Sequence, residues 1–168
     1  MGGTGARWRA WAARVAVVVG GATVAVVLLQ LWSYAHVDNP ALIERSVIVR
    51  TATSRCAAMR DSAAAAAVGT AASIPQRVGA INAQNDAVTD LVTAIRALGP
   101  KVIDADAPTE RWIQDWERLV AARDAYARSL ASGHPTPMHL PTVEGTPLLD
   151  RLNDVGISCR VPLALLAP

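Results

Sequence analysis

Apolar residues are distributed in two different ways along this chain, continuously up to about residue 35 and periodically after it. Val15 to Ala35 reads VAVVVGGATVAVVLLQLWSYA, with no charged residue and Gln30 as its one strongly polar side chain. Some twenty helical residues rising 1.5 Å each cross the roughly 30 Å hydrocarbon core of a bilayer, so this run predicts a transmembrane helix. Beyond it, three-and-four spacing predicts helices with one buried stripe. The first should run from Pro40, with Asn39 as cap, to about Ala72, burying Leu42, Val49, Ala52, Cys56, Met59, Ala63 and Ala66, with Arg45 interrupting the stripe. Ser73 and Gln76 form a capping-box pattern that opens a second helix. Its stripe is Val78, Ile81, Asn85, Val88, Val92 and Ile95, widened by Leu91 and Leu98 and ended by Gly99 and Pro100. After a polar connector, Lys101 to Pro108, a third helix from Thr109 to about Ser132 carries Trp112, Trp116, Leu119, Arg123, Tyr126 and Leu130 on one stripe, with Asp115, Glu117, Arg118, Asp124 and Arg128 mostly elsewhere. Prolines in Gly133 to Pro147 predict an extended surface loop and no strand. A short helix capped by Thr146 and ended by Gly156 follows, and the apolar tail Val161 to Leu166 should pack on the bundle.

The fold class expected is therefore all-α: an N-terminal transmembrane helix, then a small extracytoplasmic bundle of three main helices and a short C-terminal one. Charge gives the orientation. Arg7, Arg9 and Arg14 give residues 1–14 a charge of +3, whereas 13 basic and 14 acidic side chains leave residues 36–168 at −1. The positive-inside rule then makes residues 1–14 a cytoplasmic tail, residues 15–35 a signal anchor in the lipid bilayer, and residues 36–168 the exported domain. Trp8, Trp11, Trp32 and Tyr34 suit the two interfaces. A cleaved signal peptide is the competing reading, because Ser33 and Ala35 could precede a cut before His36, but the apolar region of about eighteen residues exceeds the usual 7 to 15. The near-neutral exported part has no basic stripe for nucleic acid.

Export bears on the cysteines. Cys56 and Cys159 are the only two, and on the oxidising side of a membrane they should form a disulfide holding the tail to the first helix. Two polar residues stand on apolar stripes. Asn85 reads as a buried amide that fixes helix register, or as a ligand contact. Arg123 reads as a stem that packs while its head reaches water, or as a buried guanidinium held by Asp86, Asp90 or Asn85. Catalytic and cofactor motifs are missing from the chain. There is no G-x-S-x-G elbow and no phosphate-cradling glycine loop, and His36, His134 and His139 lack the spacing of a metal site. Asp104, Asp106 and Glu110 could attract a cation, although acids near a helix start are commonly solvated. No catalytic residue, metal or cofactor is expected, and the chain does not read as an enzyme.

The segments Ile81-x-x-Gln84-Asn85-x-Ala87-Val88 with Leu91-Val92-x-x-Ile95-Arg96, and Trp112-x-x-Asp115-Trp116 with Arg123-x-x-Tyr126-Ala127-x-x-Leu130-x-x-Gly133, resemble a group of uncharacterised actinobacterial single-pass membrane-anchored proteins. In those relatives too a cysteine lies close to a proline near the end, as Cys159 and Pro162 do here. The likeness spans about residues 50–162 and departs at Leu119, where such relatives often carry tyrosine, and at Met138 or Leu140, which stand in place of a loop aromatic. It implies origin and topology but no activity. Fifteen arginines against one lysine agree with a GC-rich source. The expected role is that of a membrane-anchored accessory or interaction protein of the cell envelope with an envelope protein as partner. The alternative is a ligand-binding or sensor domain whose pocket, between the second and third helices, is lined by Asn85, Arg123, Trp112 and Trp116. A weaker third reading is an enzyme with an unrecognised site.

Overall fold

The structure is a computed structural model that describes Trp11 and residues 19–29 and 42–166. The chain divides into two compact units, Met1–Asn39 and Pro40–Pro168. In the first, residues 19–29 are helical with every side chain exposed, and Thr23 Oγ1 donates to the Val19 carbonyl at 2.8 Å. No helix among the described residues is long and apolar enough to cross a membrane. The rest of the span expected over Val15 to Ala35 lies outside them, as do Ser33, Ala35 and His36 and the cap expected at Asn39 and Pro40.

The second unit is mostly helical. In order it contains α1 (Ser46–Ala65), α2 (Ile74–Arg96), the single turn α3 (Pro100–Ile103), α4 (Ala107–Ala131), a two-strand ladder β1 (Thr142–Val143) and β2 (Thr146–Pro147), α5 (Leu148–Asn153) and a 3-10 turn at Leu163–Leu165. The first helix is shorter than the sequence suggests at both ends. Leu42 to Arg45 are non-helical: the Ile43 amide donates to the Val155 carbonyl at 3.0 Å, and the Glu44 and Arg45 amides donate to Asp106 Oδ2 at 3.1 and 2.9 Å. A distant carboxylate thus satisfies the amides of Arg45, the N-cap residue, and of Glu44 before it, and fixes the segment that leads into the helix. At the other end helix stops at Ala65, and the following Val68, Gly69 and Thr70 favour it poorly. The buried stripe is Ile48, Ala52, Cys56, Met59 and Ala63, with Leu42, Val49 and Ala66 only half-buried.

Helix α2 begins as its sequence predicts, with the Ser73 amide donating to Gln76 Oε1 at 2.9 Å. It ends before Gly99, which takes φ 89°. The connector expected at Lys101 to Pro108 contains the turn α3, which buries Ile103. The loop from Gly133 is largely exposed but includes the short antiparallel ladder, a departure from the expectation of no strand. Its two-residue turn places Glu144 at φ 52° and Gly145 at φ 81°, both left-handed as a tight hairpin requires. Thr146 therefore belongs to the ladder, and Pro147 takes the cap position of α5.

Helix α2 is the middle of the domain. Both α1 and α4 pack along it and have little direct contact with each other, while α5 lies on α4 and the 3-10 turn on α1. The C-terminal segment closes what three helices leave open. Val155, Ile157, Cys159 and Leu165 join one core with Ile48, Cys56, Val88, Leu91, Trp112 and Trp116.

Candidate functional site

Asn85 and Arg123 are both drawn into the interior, whereas Arg45 is exposed. Arg123, fully buried on α4, donates Nε–H to Asn85 Oδ1 at 2.7 Å and donates its two terminal nitrogens to Gln84 Oε1 and the Leu165 carbonyl. Asn85 passes a hydrogen bond on to Asp124 Oδ1 at 2.6 Å, and Gln84 Nε2 donates to the Ala63 carbonyl at 3.2 Å. One guanidinium thus connects α1, α2, α4 and the C-terminal segment. Of the partners expected for it, Asn85 is correct, whereas Asp86 and Asp90 are exposed. Its bonds to Gln84 and to the Leu165 carbonyl carry no signal in the sequence, one acceptor being a glutamine beside the stripe and the other a backbone oxygen. Burial lowers the Arg123 pKa to about 10, against an upward pull from Asp124. It remains charged at neutral pH.

Trp112 and Trp116 are both buried and meet edge to face, ring centroids 6.0 Å apart at 83°. Trp112 Nε1–H donates to the Leu152 carbonyl at 3.3 Å, which ties α4 to α5. Trp116 Nε1–H has no acceptor among the described residues. Tyr126, expected on the stripe, is half-buried, and its hydroxyl accepts from Arg77 at 3.0 Å. Ala127 is buried instead.

Asp115 departs most from the sequence pattern. Expected away from the stripe, it is 2% exposed and accepts from Arg118 Nη1 at 2.7 Å and Arg151 Nε at 2.8 Å. Arg151 reaches on to Glu144 Oε2 at 3.1 Å, and the bond to Asp115 raises the Arg151 pKa above its ordinary value. Arg118 is a neighbour three residues on along α4 itself, whereas Arg151 reaches the same carboxylate because α5 folds back along α4, which sequence spacing cannot reveal. Asp106 is likewise an internal anchor, accepting from Thr109 Oγ1 at 3.0 Å besides the two amides that precede α1. That use accounts for its burial without a cation. Among the described residues no group of three or more His, Cys, Asp or Glu is placed to hold a metal. His134 lies exposed with Nδ1 2.9 Å from the Ser132 carbonyl, and His139 is exposed.

Cys56 and Cys159 form a disulfide, Cα atoms 5.5 Å apart and both side chains buried. It fastens the C-terminal segment to the middle of α1, as the sequence suggests.

The clefts on the described surface of this unit include the following. One, of about 230 Å³, lies between the loop after α1, the first half of α2 and Ala164, and includes Arg77 and Gln84. A second, of about 320 Å³, runs between α4 and the α5 region, past Arg111, Trp112, Asp115 and Arg151. A third lies between Thr93 and Arg96 of α2 and Glu117 and Val120 of α4. Asn85, Arg123 and Trp116 line none of these, and Trp112 borders the second by its α4 side. All four residues expected to line a pocket between the second and third long helices are buried. No protein-family model, curated protein or solved structure matches this chain.

Proposed function

We propose that this chain is an accessory or interaction protein of the cell envelope, with residues 36–168 held outside the membrane by an anchor at 15–35 and no catalysis of its own. The observation that carries the reading is the commitment of Arg123, Asn85, Gln84, Asp106 and Asp115 to bonds inside the domain. Residues that would be candidates for chemistry act as fasteners, which leaves the surface as the part available for a role. The buried disulfide supports an oxidising compartment. Exposed Val19, Val24, Val26, Val27, Leu28 and Leu29 on the helix at 19–29 support an apolar surrounding for that segment. Thr23 bonded back to Val19 also suits an apolar helix, where a hydroxyl finds no water. The likeness to actinobacterial membrane-anchored proteins enters this reading as a proposal about origin and topology.

The test is affinity purification of the full chain from its native membranes in mild detergent. A stoichiometric partner protein that survives washing is the expected result, and recovery solely as the isolated chain counts against the role. Cysteine labelling from outside intact cells, at a cysteine placed at exposed Ser158, should succeed, whereas one placed at Thr4 should react after lysis alone. The reverse pattern refutes the orientation.

A further inference from the structure

Three prolines fall within residues 134–141, between α4 and the ladder: Pro135, Pro137 and Pro141. Each ring fixes its own φ near −65° and pushes the residue before it, His134, Thr136 or Leu140, out of the helical region, so the stretch is biased toward polyproline II. The structure agrees: residues 134–141 contain no helix, strand, turn or bend, and none of them has a positive φ. This strap is fixed at both ends. The amides of His134 and Thr136 donate to the Ser129 carbonyl and hydroxyl at 3.1 and 3.2 Å, Leu140 packs against the core, and the Pro141 carbonyl accepts from the Leu148 amide at 3.2 Å. Apart from Leu140 and half-buried Met138 it is open, with Pro135, Thr136, Pro137, His139 and Pro141 all exposed.

We propose that this strap is itself a ligand, read by a partner protein through a groove lined with aromatic side chains. Its chemistry selects that partner. Residues 134–141 contain no Asp, Glu, Lys or Arg, so no formal charge draws them to an anionic or a basic surface, and what they present is pyrrolidine rings and one thioether. At three residues per turn Pro135, Met138 and Pro141 recur along one edge, about 9 Å apart. Aromatic rings offer flat apolar slots to such rings and favourable contacts to the sulfur. A partner that adds a strand is the poorer fit, because three prolines remove amides that a ladder would use. Fixing at both ends favours recognition too, since the fold has already met the ordering cost that a free peptide would meet on binding. The inference rests on the interaction role proposed above and names the surface of this chain that carries it.

Photo-crosslinking of the full chain in its native membranes tests it, with p-benzoylphenylalanine placed at exposed Thr136 or His139. A single cross-linked protein is expected, attached through a segment that carries paired aromatic residues, whereas the same probe at exposed Asp86 on α2 should give none. A synthetic peptide of residues 132–143 should suppress the adduct, and the same peptide with its prolines replaced by alanine should compete about tenfold less well. In the full chain, Pro135→Ala with Pro137→Ala and Pro141→Ala should lower partner recovery by about tenfold while the circular dichroism of the helices is unchanged. No adduct at either position, an equal adduct at Asp86, attachment to a segment without aromatic residues, or equal competition by the alanine peptide overturns the assignment. If affinity purification yields a partner that the triple variant retains at wild-type level, the strap is not the ligand while the interaction role stands; if it yields no partner, both fail.

Discussion

Arg123 illustrates how a single side chain can hold several elements together without an ion pair of its own. Its bonded acceptors are all neutral, Asn85, Gln84 and the Leu165 carbonyl, and the neighbouring carboxylate, Asp124, is reached through Asn85. Removing it leaves three buried acceptors without a donor, so Arg123→Ala should cost about 3 to 5 kcal/mol in chemical denaturation. Arg123→Lys should recover little of this, because an ammonium cannot reproduce the planar fork. The two tryptophans offer a finer comparison, since Trp→Phe removes similar volume at each. At Trp112 the change also orphans the Leu152 carbonyl, whereas at Trp116 it deletes a donor that has no acceptor among the described residues. Trp112→Phe should therefore be the more destabilising by about 1 to 3 kcal/mol, measured from the two unfolding midpoints at equal slope. Equal losses would contradict the assignment of that bond.

Some helix ends in this domain are settled by partners from elsewhere in the chain. Asp106 accepts amides at the start of α1 and the Thr109 hydroxyl at the start of α4, so it fixes where two helices begin. Asp106→Ala should lower stability by about 1 to 2 kcal/mol, the range for losing a helix cap, with amide exchange rising at Glu44 and Arg45. Unchanged exchange there would show that the carboxylate does not hold those amides. The junction after α5 is equally constrained. Gly156 sits at φ 78°, and a Cβ there would come within 3.1 Å of Leu42 Cδ2, so alanine meets both backbone strain and a tight contact. The capping box at Ser73 and the stop at Gly99 were readable in the sequence because each motif satisfies its own neighbours. The start of α1 was not, since the carboxylate that holds the Glu44 and Arg45 amides lies some sixty residues away.

At the scale of the whole molecule, closure depends on the C-terminal segment. Helices α1 and α4 flank α2 without much mutual contact, and residues 155–165 bridge them through the disulfide to α1 and the Leu165 carbonyl bonded to Arg123. The bond closes a loop with a sequence separation of 103, for which the chain-entropy relation gives up to about 4.7 kcal/mol. Reduction, or the double variant Cys56→Ser with Cys159→Ser, should lower the unfolding midpoint markedly and increase exchange of the Leu165 amide. Before reduction the folded chain should show no titratable thiol.

The sequence by itself determined the helical class, the order of the long helices, most of their buried stripes and the partnership of the two cysteines. Each of these follows from periodicity, local capping or a count, and needs no knowledge of which segment lies beside which. Tertiary structure alone decided that Asp115 is internal, that Asp106 holds the amides leading into a remote helix, that Gln84 and a tail carbonyl hold Arg123, and that the glycine- and proline-rich loop contains a hairpin. Those outcomes depend on α5 and the tail folding back over α1 and α4, where polar groups brought out of water must bond to whatever the packing places beside them.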